Sequence, residues 1–370
     1  MSSPSLSCKE FAAAPPRTAY WLFSGPLDVA AFLGSALVAL ALLWLGARWG
    51  VLRGESPEWT WVGAVLLVDV AHVYATNYKV YFDFGELRRR PYLYALTPLL
   101  GYGVGVALYS EGALNFWRVL AYLAVFHFVR QQYGWVALYR ARAGESGRVG
   151  YWIDSTAIYA ATVYPLLYWH AHLPRQFWWF VANDFAALPA LVETVARPLY
   201  WLALGLYAAR ALYRGLVKRE FNPGKDIVLV TTAICWHVGI VTFNSDYAFT
   251  VTNIIIHGVP YFVLVYWHAR QRREVAPTPY RWLAHGPVIF LLTLWLLAFV
   301  EEFIWDKAVW HERGWLFGAA WNAETLKMWL VPLLALPQIT HYFLDGFIWR
   351  RRSNPELTEL VQGSKFKVQG

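Results

Sequence analysis

The sequence predicts an all-α, polytopic integral membrane bundle, and three observations predict it. The 370 residues are 58% hydrophobic and only 15% charged, against roughly 25% charged for a soluble domain. The apolar residues fall into about ten runs, each close to the 20 residues that a bilayer crossing needs. Basic residues gather at alternate connections between those runs, as topology in a membrane requires.

The predicted helices lie near 27–46, 59–80, 92–109, 114–139, 151–169, 194–213, 226–243, 247–269, 282–303 and 326–349. One side collects Lys79 with Arg88 to Arg90, then Arg140, Arg142 and Arg148, then Arg210, Arg214, Lys218, Arg219 and Lys225, then Arg270, Arg272, Arg273 and Arg281, and finally Arg350 to Arg352. The other side is sparse, with Arg48, Arg53, Arg118, Arg175 and Arg197 among its few cations. The positive-inside rule then places both termini in the cytoplasm, with a polar N-terminal tail over 1–20, one transmembrane domain over 21–350 and a C-terminal tail over 351–370.

The net charge of +8 is accounted for by this topology, so nucleic acid is not an expected partner. The bilayer is. The N-terminus has no basic start followed by an apolar core, so the first span is expected to direct insertion. Cys8 and Cys235 are the two cysteines and imply no disulfide framework. Short loops without an N-x-S/T sequon fit a bacterial cytoplasmic membrane.

Two outward segments, 170–193 and 304–325, exceed simple turns. Their density of Trp and Phe predicts short interfacial helices that lid the bundle. In the third helix, Gly101 and Gly105 form a small-xxx-small pair that predicts close packing against a neighbour.

Four histidines sit inside four different spans: His72, His127, His257 and His341. All four of those helices run from outside to inside, and their histidines come after similar numbers of residues. At about 1.5 Å of rise per residue they occupy one layer of the bundle. Each has a polar companion three or four residues away, which keeps the pair on one helical face: Asp69 with His72, Gln131 with His127, Asn253 with His257, and Gln338 and Asp345 with His341.

A carboxylate at mid-bilayer costs roughly 2.5–3.5 kcal/mol on insertion scales, so such residues persist only when paired or bound inside the bundle. Neutral imidazole suits transition metals, and carboxylates or amides orient its second nitrogen. His72, His127, His257, His341, Asp69 and Asp345 are therefore the candidate metal ligands. A mixed His and carboxylate set points to iron, mono- or dinuclear, with a b-type haem as the alternative cofactor. The plain structural alternative is that each histidine is hydrogen-bonding glue between helices, worth about 0.6 kcal/mol on average.

Arg130, Gln131 and Tyr133 are the candidate catalytic residues. Arg130 is expected to pair with Asp69 or Asp345, or else to hold an anionic substrate head. Tyr74, Tyr78, Tyr261 and Tyr342 flank the histidines and are candidates to line a pocket. His237 is expected to be a core hydrogen bonder, with a fifth ligand as the alternative. His170, His172, His268, His285 and His311 fall at predicted helix ends or in loops and are set outside the site.

No two histidines stand three or four residues apart across a desaturase-type histidine box, and there is no CxxCH, Gly-rich nucleotide loop or GxSxG. The general plan of isolated histidines on several helices is similar to that of the intramembrane carotenoid-cleaving oxygenases associated with bacterial rhodopsins, an analogy of plan without a shared motif. The functional expectation is a metal-dependent membrane oxidoreductase or oxygenase, with a lipophilic substrate and an electron donor as partners. The competing expectation is a proton-coupled transporter using the same His, Asp and Arg residues.

Overall fold

The computed structural model describes residues 20–274 and 276–362, and every regular element within them is helical. The long helices are α1 (Gly25–Trp49), α2 (Glu58–Lys79), α3 (Pro91–Ser110), α4 (Ala113–Arg142), α5 (Arg148–Ala171), α6 (Ala190–Leu212), α7 (Pro223–Thr242), α8 (Asp246–Arg272) and α9 (Pro287–Trp310), followed by the shorter α10 (Lys327–Leu334) and α11 (Leu336–Ile348). Six of them, α1, α2, α3, α7, α8 and α9, are long and apolar enough to cross a membrane.

The final predicted helix is in fact two, because Pro337 has no backbone N–H to give Leu333 and its ring crowds that carbonyl. The chain turns at Ala335 and resumes as α11. The segment between α5 and α6 departs from the expected interfacial helix, since residues 172–189 contain no helix. Asp184 collects the backbone N–H groups of Trp179 (2.9 Å), Phe180 (2.7 Å) and Val181 (3.3 Å), which a helix would need for itself. Phe177 and Phe185 turn inward and are buried, so the segment closes the end of the bundle with its aromatics. Over 304–325, α9 runs on to Trp310 and is followed by single helical turns at Gly314–Phe317 and Glu324–Leu326.

Close helix contacts occur where a side chain is missing. A Cβ at Gly101 would lie 2.8 Å from Ile339 Cγ2, so α3 does pack tightly, against α11. A Cβ at Gly239 would overlap Thr252 Oγ1 at 1.9 Å, which brings α7 onto α8 at a distance open only to glycine. The start of the expected N-terminal tail, residues 1–19, lies outside the described residues, as do Cys8 and residues 363–370. The described part of the expected C-terminal tail is docked rather than free. Its helix Pro355–Gln362 buries Leu357 and Leu360 against α4, and Arg142 donates to the Leu360 carbonyl at 3.3 Å.

The basic segments are drawn together at one end of the bundle. There, Asp154 is fully buried and receives Arg140, Arg210 at 2.8 Å and Lys225 at 3.0 Å. Glu145, in the connection between α4 and α5, meets Lys225 at 2.9 Å, Arg214 at 2.7 Å and the Asn222 amide at 2.8 Å. Burial alone would raise the Glu145 carboxyl, but Lys225, Asn222 and Arg214 outweigh it and hold the group down at about 2 against an ordinary 4.5. A folded-state pKa below the unfolded one means that this contribution is complete above about 4.5 and is lost as pH falls toward about 2. Thermal unfolding followed from pH 6 to pH 3 is expected to show an acid limb of up to about 1.4 kcal/mol per pH unit, and Glu145→Gln is expected to flatten part of it. An acid limb identical in the variant would remove Glu145 from this role.

Candidate metal centre

The four histidines of α2, α4, α8 and α11 converge, and each is buried: His72 and His257 at 0%, His341 at 1% and His127 at 3% exposure. Nε2 of His257 lies 3.1 Å from Nε2 of His72, and Nε2 of His341 lies 3.2 Å from Nε2 of His127. The two pairs are in contact as well, with ring centroids 4.9 Å apart between His72 and His341 and 5.1 Å apart between His127 and His257. Their placement follows from the helix order: α2, α4, α8 and α11 pack on one another around this point, so one inward-facing residue from each reaches it.

The rings are held from behind. The Thr76 hydroxyl is 2.7 Å from His341 Nδ1, and it also lies 3.3 Å from the Tyr261 hydroxyl. Tyr261 donates to Asp345 Oδ1 at 2.7 Å. Asp345 stands 3.7 Å from His341 Nδ1 and 3.9 Å from His127 Nδ1. Phe128 lies face to face on His257, with centroids 3.5 Å apart and planes 6° from parallel, while Tyr342 covers His127 at 5.0 Å. Asp345 meets the Nδ1 side of His341 and His127, where these three residues form a second group close enough to hold a metal ion, so Asp345 stands as a candidate ligand as well as a support for the two rings.

Two overlapping groups here could hold a metal ion, His72 with His127 and His257, and His127 with His341 and Asp345. With metal–nitrogen bonds of about 2.0–2.1 Å, neighbouring donors stand about 3.0–3.4 Å apart between octahedral and tetrahedral geometry, and both Nε2 pairs fall in that interval. Neutral imidazoles without a metal would share one proton across each pair. A haem does not fit this arrangement. A porphyrin interposes its plane between its axial imidazoles, and here the imidazoles and the aromatic rings on them touch one another.

The other expected residues are distributed unequally. Asp69 lies beside His72 but at 3.6 Å from Nδ1, and its side chain keeps 32% exposure. The backbone over Trp61–Val70 forms wide π turns, which swing Asp69 partly off the face it would share with His72 in an α-helix. Gln131 donates to the backbone carbonyl of His257 at 2.8 Å, tying α4 to α8 beside the centre. Asn253 instead donates to Phe249 O and Thr252 Oγ1, and Gln338 reaches Glu301 Oε1 at 2.7 Å, so neither supports its expected histidine.

Arg130 is a correction. It is exposed, donates to the Tyr159 hydroxyl and lies over the Tyr133 ring at 4.8 Å; among the described residues no carboxylate pairs with it. Arg130 sits at the edge of the face that carries His127, and its long side chain leaves the interior for Tyr159 and Tyr133. Tyr133 likewise meets Tyr151 at 3.3 Å, away from the histidines. Tyr78 is also spent elsewhere, on the Leu283 carbonyl. His237 makes neither expected contact, since it stacks on Tyr200 with planes 15° apart and its Nδ1 has no hydrogen-bond partner among the described residues. His170 lies in the last turn of α5 and His268 near the end of α8, as expected, but both are buried, with His170 bonded to Leu166 O and the Tyr122 hydroxyl.

Thr76, Phe128, Glu301 and Glu302 were not picked out by the sequence. The two acids had a legible signal, adjacent carboxylates inside the apolar run of α9. Glu301 accepts from Trp305 Nε1 at 3.0 Å as well as from Gln338. Thr76 and Phe128 had none, because a threonine and a phenylalanine inside a span are ordinary.

Thr76→Val keeps the shape and removes the hydroxyl behind His341. The expected result is metal retention weaker by roughly 10–100-fold, measured by competition with a chelator, with His285→Ala as the unchanged control. Arg130→Ala is expected to change thermal stability by less than about 1 kcal/mol, since an exposed guanidinium on a hydroxyl and a ring contributes little. A loss several times larger would mean that Arg130 has a buried acidic partner after all.

No protein-family model matches the chain, and neither the curated proteins nor the solved structures contain a significant match, so the site is judged on its own geometry.

Proposed function

We propose that the protein is an integral-membrane, metal-dependent oxidoreductase or oxygenase whose four-histidine centre acts on a lipophilic substrate. The observation that carries the reading is the pair of Nε2 contacts, at 3.1 and 3.2 Å, between four buried histidines from four helices. Iron is the favoured metal, given imidazoles with carboxylates at their back. Bound there, it would supply one-electron and oxygen chemistry.

The chain's own residues supply position and access. Thr76 and Asp345 fix the orientation of His341, and Tyr261 holds Asp345. A cleft of about 270 Å³ opens between α2, α3 and the Ala335 break, and it ends at Thr76 and His341. Val73, Tyr74, Pro98, Leu336 and Pro337 make its walls mainly apolar. Such a cleft would admit a hydrocarbon chain from between helices and keep water from the centre.

In this reading α4, α5, α6 and the α10–α11 pair cross the bilayer together with the six apolar helices, giving ten crossings. Both termini and the basic end then face the cytoplasm of a bacterial inner membrane, where an electron donor would dock. A second reading, a proton-coupled transporter, draws support from the buried Glu301, Glu302 and Asp306 on α9.

Elemental analysis of the purified protein decides between them. About one iron per chain, lost in His72→Ala, His127→Ala, His257→Ala and His341→Ala but kept in His285→Ala, is the expected outcome. Absence of stoichiometric Fe, Cu, Zn or Mn would overturn the metal reading. Proton flux into liposomes that depends on Glu302, in protein without metal, would establish the transporter instead.

A further inference from the structure

At the basic end a second cleft, of about 440 Å³ and lined by none of the four histidines, is bounded by Tyr133, Arg140, Arg148, Tyr151, Trp152 and Arg351. The inner network is balanced: Arg140, Arg210, Arg214 and Lys225 are matched by Glu145 and Asp154, by Glu220 on Arg214 at 3.2 Å and by Asp226 beside Lys225. The rim is not. Arg148 and Arg351 add two exposed cations at the rim, and neither has a carboxylate partner among the described residues. Arg130, stacked on Tyr133, stands beside them with no acid of its own.

Aromatic residues mark the depth of this cleft. Trp152 is 64% and Tyr151 40% exposed, as expected of rings at the level of lipid headgroups. An uncompensated group of arginines at that level, walled by tyrosine hydroxyls, suits a phosphate: guanidinium forks match its oxygens, and phenols donate to them. Basic pockets between helices at the cytoplasmic boundary bind anionic lipid heads for the same reason.

We propose that this cleft is a binding site for the phosphate head of an anionic phospholipid, with Arg148 and Arg351 as its principal cations. The position of Arg351 gives the lipid a structural role. It follows directly on α11, so an anion shared with Arg148 links the end of α11 to the start of α5.

The test uses the full chain in nanodiscs of phosphatidylcholine with or without phosphatidylglycerol, and reads retained lipid by native mass spectrometry. Wild-type protein is expected to keep one phosphatidylglycerol that the R148Q/R351Q variant holds about 30-fold more weakly, at roughly a factor of five per charge. The variant R48Q/R53Q, with two exposed arginines at the opposite end, is expected to match wild type. Equal loss in both double variants, or no loss in R148Q/R351Q, overturns the proposal. Displacement of the lipid by millimolar inorganic phosphate would overturn the lipid assignment in favour of a soluble phosphate compound. Monodisperse elution and unchanged metal content in R148Q/R351Q establish that a loss of lipid is not misfolding, and they keep this test independent of the histidine centre.

Discussion

Exclusion of water from the bundle interior is the constraint on which the rest of the structure depends. Every polar side chain there has to find its partner inside the protein, since an unpaired buried group costs several times what a hydrogen bond contributes. The interior resolves this in separate places. His341 has Thr76 and Asp345 on one nitrogen and His127 on the other; Asp345 has Tyr261; Glu301 has Trp305 and Gln338. The support is uneven: His341 and His127 have Asp345 behind them, whereas Nδ1 of His72 and of His257 are buried without a hydrogen-bond partner among the described residues.

The same constraint separates the two ends of the molecule. At the basic end the charges are numerous enough to form a balanced network around Asp154 and Glu145, with Arg148 and Arg351 exposed at its rim. At the other end the ion pairs are separate, such as Arg197 with Glu193 at 2.8 Å and Lys327 with Glu324 at 2.6 Å, and backbone carbonyls serve as partners too, as where Arg175 reaches Ile240 O and Phe243 O at 2.5 and 2.8 Å. Aromatic rings finish that end instead, with Phe177, Phe185, Trp169 and Phe249 packed edge and face against one another. Charge at one end and aromatic closure at the other leave the middle of the bundle for the histidines and for the apolar cleft that reaches them at the Ala335 break.

That break connects backbone chemistry to access. Pro337 ends the hydrogen-bond ladder of α10, and the offset between α10 and α11 opens beside α2 and α3 the space that ends at His341. The close approach of α3 to α11 at Gly101 holds the far wall in place.

What the sequence by itself determined is the helical register and the candidate centre. Apolar run length set most of the helices to within a few residues, and four histidines at matching depths on helices of one direction identified His72, His127, His257 and His341, with Asp69 and Asp345 as candidate ligands beside them. Both are readable because they depend on periodicity and on the cost of polar groups in an apolar span, which are local. The tertiary structure alone decided which way each companion turned. Arg130, Tyr133, Asn253 and Gln338 share a helical face or a near neighbour with a histidine, yet each is bonded elsewhere: Tyr159, Tyr151 and Glu301 come from other helices, placed by how those helices pack, while Asn253 turns back onto Phe249 O and Thr252 within its own π-turn stretch. Thr76 and Phe128 became part of the centre for the same reason. Spacing along one helix specifies a direction for a side chain, and only the packing of other helices specifies what it meets there.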